Sequence, residues 1–255
     1  MLEFSSAGVR IAYIDVAPTG VDRGEPILLI HGFASSHVYN WVNPRWVQTL
    51  IEAGRRVIAL DNRGHGASEK LHDPQDYSSQ KMAEDARRLL DHLAIERADV
   101  MGYSMGSRNS SFLALAHPDR VRSLILGGLG DHLVNGVGLP MKIADAMEAA
   151  SIEDLTDPMQ RMFRAFADQT KSDRAALAAC MRGSRQTLTA ADVARIECPV
   201  LVAIGTRDEI AGDPHRLAAL FPRGEALEIP GRDHMLAVGD KVFKAGALAF
   251  LDRRP

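Results

Sequence analysis

A glycine-flanked serine between two regular elements constrains this chain more than any other feature. The run Ala98 to Met101, apolar but for Asp99, leads into Gly102-Tyr103-Ser104-Met105-Gly106, and Ser107 to Ala116 then reads as a helix. A strand that reverses directly into a helix crowds its own backbone, and residues without Cβ on either side of the apex relieve the crowding. The spacing therefore predicts a tight strand-to-helix turn with Ser104 at its apex. Its hydroxyl would project from a strained backbone at a helix N-terminus, where the helix dipole favours negative charge.

The rest of the chain supplies a frame for such a turn. Leu2 to Ser5 and Val9 to Val16 read as an antiparallel hairpin at a sheet edge. Ile27 to Ile30 is a short continuous apolar run, as a strand buried on both faces requires, and Arg56 to Asp61, Ala98 to Met101, Val121 to Leu126 and Pro199 to Gly205 read as further strands. A shorter strand is expected over Ala226 to Ile229. Helical spacing follows most of these runs. One example is Met82, Ala86, Leu89, Leu90 and Leu93 on one face, with Ser78 or Ser79 as N-cap. Alternating strands and helices predict an α/β fold with a mostly parallel sheet and helices on both faces. From Asp131 to about Glu197 only helical patterns occur, broken by glycine and proline. The expected organisation is thus a core of residues 1–130 and 198–255 with a helical cap, 131–197, inserted in it.

Composition narrows the class. A length of 255 residues with 46% hydrophobic residues suffices for one large core, and the net charge of −3 is small. Lysines and arginines are interspersed with acids rather than clustered, so no nucleic-acid partner is expected. No apolar run reaches membrane-span length, and Met1 to Ser6 lacks a charged and then apolar leader pattern. Cys180 and Cys198 read as two reduced thiols rather than a disulfide framework. A soluble, cytoplasmic protein is the expectation, with its oligomeric state open.

Several motifs in order resemble the α/β-hydrolase superfamily, in its serine esterase and lactonase-like branch. These are His31-Gly32 after an early strand, Asp61-x-Arg63-Gly64-x-Gly66-x-Ser68 after the next, and the Ser104 turn. Gly205 to Asp208 follow a late strand, and Asp233-His234 stand near the C-terminus. The resemblance spans almost the whole chain. It implies the α/β-hydrolase fold and a Ser-Asp-His order of catalytic residues.

On that resemblance Ser104 is the nucleophile. A serine hydroxyl needs a base that titrates near neutrality, which points to histidine. Of nine histidines, His92 and His117 have structural positions, and the family uses positions such as His31 and His65 to shape loops. His234 stands where the family places its base. Asp208 is the expected acid; Asp131, after the strand that follows the Ser104 helix, is the alternative, with Glu209 a lesser rival and Asp233 facing away. The oxyanion donors implied are the backbone N–H groups of Phe33 and Met105. Trp41 and Tyr103 are candidate pocket-lining residues. The Asp61 to Gly66 loop lacks the companions of a metal or phosphate site and reads as structural, so neither metal nor cofactor is implied.

Serine at the apex implies acyl transfer on a small-molecule ester-type substrate, with lactones and thioesters within reach. A C–C bond hydrolase or a cofactor-free perhydrolase would use the same triad. A ligand-binding protein with little turnover is the reading from another class. Many relatives have a second glycine after the turn, whereas here Gly106 is followed by Ser107-Arg108; Arg108 is expected to be structural or paired with a carboxylate. Methionines 141, 147, 159, 162 and 181 in the cap could line an adaptable apolar pocket or simply pack it.

Overall fold

The computed structural model describes residues 1–136 and 138–253. Val137, in the segment expected to form the cap, and Arg254 and Pro255, at the end of the expected core, lie outside the described residues. Among the described residues eight strands form one sheet, in the order β1-β2-β4-β3-β5-β6-β7-β8. They are β1 (Leu2–Ser6), β2 (Val9–Val16), β3 (Ile27–Ile30), β4 (Val57–Leu60), β5 (Ala98–Tyr103), β6 (Val121–Gly127), β7 (Val200–Gly205) and β8 (Gly224–Ile229). β2 runs antiparallel to both β1 and β4, and every pairing from β4 to β8 is parallel. This is the α/β-hydrolase fold that the motifs imply.

The continuous apolar strands are explained by two covered faces. Leu28 and Ile30 of β3, with Val100, Leu124 and Val202, point into one core layer. That layer is closed by α2 (Ser79–His92), α3 (Met105–Ala116) and α9 (Pro214–Ala218). Ile27 and Leu29, with Met101, Ile125 and Leu201, point the other way, against α1 (Trp46–Glu52) and α10 (Lys241–Arg253). Each such side chain contributes about 1.5–3 kcal/mol by leaving water, so a strand apolar at every position is anchored from both sides. Ser78 caps α2 by accepting from the Lys81 N–H at 3.2 Å.

The connection from β6 to β7 carries α4 (His132–Asn135), α5 (Lys142–Glu148), α6 (Pro158–Gln169), α7 (Arg174–Gly183) and α8 (Ala190–Val193), and no strand among its described residues. Helices α6, α7 and α8 start at side-chain caps, Asp157, Asp173 and Thr189. A third apolar cluster joins Ile143, Met147, Phe163, Leu177 and Met181 of this segment to Phe33, Tyr77 and Met105 of the loops at the sheet's end. Strand order reverses between β3 and β5, and open α/β sheets bind ligands at such a switch point. The loops after β3 and β5 meet there. Among the described residues no helix is long and apolar enough to cross a membrane.

Candidate active site

Ser104 leaves β5 with φ 54° and ψ −114°, a conformation that L residues rarely adopt. Close packing enforces it. A Cβ on Gly106 would collide with the carbonyl of Ile30 in β3, and one on Gly102 with the backbone at Gly106. The turn therefore closes only with glycine at both places, and the serine between them carries the strain.

Ser104 Oγ lies 3.1 Å from His234 Nε2, and His234 Nδ1 lies 2.8 Å from Asp208 Oδ2. His234 is nearly buried and the Asp208 side chain fully so. The second carboxylate oxygen of Asp208 accepts from the N–H groups of Ile210 and Ala211, at 2.9 and 3.0 Å. With both oxygens engaged, the carboxylate holds one rotamer, and the imidazole proton on Nδ1 is fixed by it. The N–H groups of Phe33 and Met105 find no acceptor within the fold's own hydrogen bonding among the described residues. Both residues border the cavity at Ser104. Gly32 lets their loop approach, since its Cβ position is 3.2 Å from the Tyr103 carbonyl.

Two arms of the cavity meet at Ser104 and Phe33. One passes His234, Tyr39, Phe163, Phe166 and Leu236. The other runs between Met105, Leu129, Leu139, Met181 and Ile210 and reaches Arg108.

The sequence profile of the alpha/beta hydrolase fold matches residues 25–152, half of the chain. The chain belongs to the alpha/beta hydrolase fold family. The dihydrolipoyllysine-residue acetyltransferase component of the acetoin cleaving system of Pseudomonas putida is 32% identical, over 85% of this chain and 60% of its own length. The 2-hydroxymuconate semialdehyde hydrolase of Pseudomonas sp. strain CF600 is 35% identical, over 58% of this chain and 47% of that protein. The chain thus spans only part of the length of these curated relatives. A hydrolase from Pseudomonas aeruginosa PA01 shares the fold with a TM-score of 0.78 and 25% identity, covering 98% of this chain and 97% of that one.

Within this hydrolase fold, Asp131 is not at the imidazole. Its carboxylate accepts from the Asp213 N–H at 2.8 Å and from the Asn135 amide at 3.2 Å, which ties the end of β6 to the loop after β7. Glu209 is exposed, and Asp233 accepts from the N–H groups of Met235 and Leu236, in the turn that presents His234. Tyr103 borders the His234 arm and donates its phenol to the His234 carbonyl at 2.6 Å.

Trp41 corrects an expectation. It does not line the cavity; it is fully buried, edge-on to Trp46, in the layer between sheet and α1. The cause is a π-helical turn over Val38–Val42. The turn sends Trp41 into the core and Tyr39 to the cavity. It also aims Asn40, missed in the sequence, at Gly32, whose N–H its Oδ1 accepts at 3.0 Å. No motif marks this brace, because a buried asparagine in a polar stretch looks like any loop residue.

His31 and His65 sit beneath the Phe33 loop, their ring centroids 5.3 Å apart. Burial pushes both pKa values down, that of His65 to about 3, with His31 adding to the effect. They are neutral spacers at physiological pH. Asp61 accepts from the His37 N–H and Nδ1 and from the Ala67 N–H, while Arg63 forms a two-pronged pair with Asp85 of α2. The Asp61 to Gly66 loop is thereby held by its own polar groups. Among the described residues no cluster of three or more His, Cys, Asp or Glu could hold a metal ion. Met141 and Met162 are exposed, Met147 is packed beneath α7, and Met181 borders the Arg108 arm.

Proposed function

We propose that this hydrolase cleaves carboxylic esters, with lactones and thioesters in the same class, by acyl transfer through Ser104. Ser104 Oγ attacks the carbonyl carbon while His234 Nε2 takes its proton. Asp208, accepting from Nδ1–H, keeps the productive tautomer and stabilises the imidazolium. Negative charge developing on the carbonyl oxygen is met by the N–H groups of Phe33 and Met105. His234 then hands its proton to the leaving oxygen or sulfur as that bond breaks. Water next attacks the acyl-enzyme, gives a proton to His234, and that proton returns to Ser104 as the acid departs. Residues 131–197 act as the cap that walls the cavity.

The observation that carries this reading is the chain Ser104–His234–Asp208, at 3.1 and 2.8 Å, beside two N–H groups without acceptors. Purified protein should turn over short-chain aryl esters and be labelled by a serine-directed phosphonate, and Ser104→Ala should abolish both. Absence of turnover and of labelling would leave only a binding protein. We take the cytoplasm as its compartment, because Cys180 and Cys198 are both free thiols.

C–C bond cleavage is the second reading, supported by the relative named 2-hydroxymuconate semialdehyde hydrolase. The same triad serves it, as it would serve perhydrolysis. A ring-cleavage dienoate offered beside an aryl ester separates the two: a specificity constant higher for the dienoate would favour C–C hydrolysis.

A further inference from the structure

The two cavity arms differ in charge, and the difference bears on the substrate. Among the described residues four arginines are buried: Arg55, Arg63, Arg108 and Arg164. Three of them face carboxylates, Arg55 that of Asp99, Arg63 that of Asp85 and Arg164 that of Asp168. Arg108 is the exception. Its guanidinium donates to the carbonyls of Gln186, His132 and Gly136 at 2.8, 3.0 and 3.3 Å, and makes no ion pair among the described residues. The charged side chain acting on it is another cation, Arg185, which donates to the Leu139 carbonyl and likewise has no acidic partner among them. Burial, with Arg185 adding to it, lowers the Arg108 pKa to about 10, so the group remains charged at neutral pH.

Arg108 is also the one charged residue bordering its arm of the cavity among the described residues; the other walls are apolar or small. An uncompensated cation among such walls is costly, and an anion brought beside it would be held strongly. Arg108 lies one helical turn beyond Ser104, its N–H bonded to the Ser104 carbonyl at 3.2 Å. Four residues of α-helix rise about 6 Å.

The direction of the reaction assigns the arms. A leaving group must be reached by the protonated imidazole, so it belongs in the arm that His234 borders. The acyl chain then occupies the arm that ends at Arg108. We propose that the substrate's acyl part carries a second, remote carboxylate, seated against Arg108 with Arg185 behind it. The substrate class is a monoester or thioester of a short-chain diacid, or a lactone of a hydroxy-diacid. This rests on the acyl-transfer reading for the assignment of the arms, but the anion site itself does not.

The test pairs 4-nitrophenyl hemiglutarate with the neutral, chain-matched 4-nitrophenyl pentanoate. Wild-type protein should prefer the hemiglutarate in kcat/KM by about tenfold or more, the usual scale for a charge-assisted contact, and Arg108→Gln should lower that ratio by a similar factor. A wild-type ratio at or below one, or a ratio unmoved by the substitution, overturns the proposal. An arginine that merely pins three carbonyls would, when replaced, depress both esters alike. Calorimetry with glutarate against pentanoate on the Ser104→Ala protein provides an arm independent of turnover. Glutarate binding that is lost in the Ser104→Ala, Arg108→Gln double variant, without ester turnover in the wild type, would uphold the anion site and reject acyl transfer. No glutarate binding and no anionic preference would reject the site. If Arg108→Gln fails to fold, the wild-type ratio and glutarate binding decide alone.

Discussion

The phenol of Tyr103 donates to the backbone carbonyl of His234 at 2.6 Å, so the residue preceding Ser104 holds the main chain of His234. Burial, and the negative charges of Asp208 and Asp233, push the phenol well above its ordinary pKa, which keeps it a donor at any working pH. Tyr103→Phe preserves the ring and removes this one bond. It should cost about 1–3 kcal/mol of stability, since a buried carbonyl loses its partner. Loosening of the base should lower kcat by about tenfold with KM nearly unchanged. Denaturant unfolding and steady-state kinetics on an aryl ester check both; a KM effect alone would show that Tyr103 only shapes the cavity.

Asp208 and Asp131 separate by what their carboxylates hold. Asp208→Asn should lower kcat by about 10³–10⁴-fold, because the amide imposes the wrong tautomer on His234. Asp131→Asn should leave kcat within about threefold, while weakening the tie to the Asp213 N–H by roughly 1 kcal/mol. Rate measurements on the two variants decide, and the reverse ranking would transfer the acid's role to Asp131.

Asn40 braces the loop that carries Phe33 through the Gly32 N–H. Asn40→Ala leaves that N–H buried without its acceptor and frees the loop that carries Phe33. A drop in kcat of about tenfold is expected, larger than any change in KM, since the affected donor acts on charge that appears only in the transition state. Equal kcat for variant and wild type would show that the loop is held without Asn40.

Acid stability should report the buried histidines. Unfolded, an imidazole takes a proton near its ordinary 6.5, whereas folded His65 refuses one down to about 3. The unfolded state therefore binds the extra proton throughout that window. Stability is complete above pH 6.5 and is lost as the pH falls toward 3, by up to about 1.4 kcal/mol per pH unit for each such group. Burial shifts His31 in the same direction. His65→Phe should remove close to one proton from the slope of unfolding free energy between pH 6 and 4.5, measured by urea titration. Parallel curves for the two proteins would contradict it.

Much of this was legible before any coordinates. Strands such as Ile27–Ile30 and Val200–Gly205 declare themselves because burial on both faces leaves no polar position. The Ser104 turn declares itself because two glycines are sterically required there. What stayed hidden depends on the direction of a side chain rather than on its type. Trp41 and Asn40 sit in one π-helical turn, and a shift of one residue along it exchanges core for cavity. Arg108 was equally opaque, since the expected carboxylate partner could be tested only by seeing which carbonyls surround it. Asp131 is held away from His234 by a loop tie between β6 and β7 that no local pattern encodes.

The strand order has a consequence for how the protein matures. β5 lies inside the sheet between β3 and β6, whereas β7 and β8 form its far edge and follow the helical segment in the chain. Ser104 thus belongs to strands drawn from nearby sequence, while Asp208 and His234 follow β7 and β8, across the helical segment. Loop closure over that distance is slow relative to local pairing. A refolding chain in which β7 and β8 had yet to dock would hold Ser104 without His234 beside it, so the Ser104–His234 contact reports completed assembly.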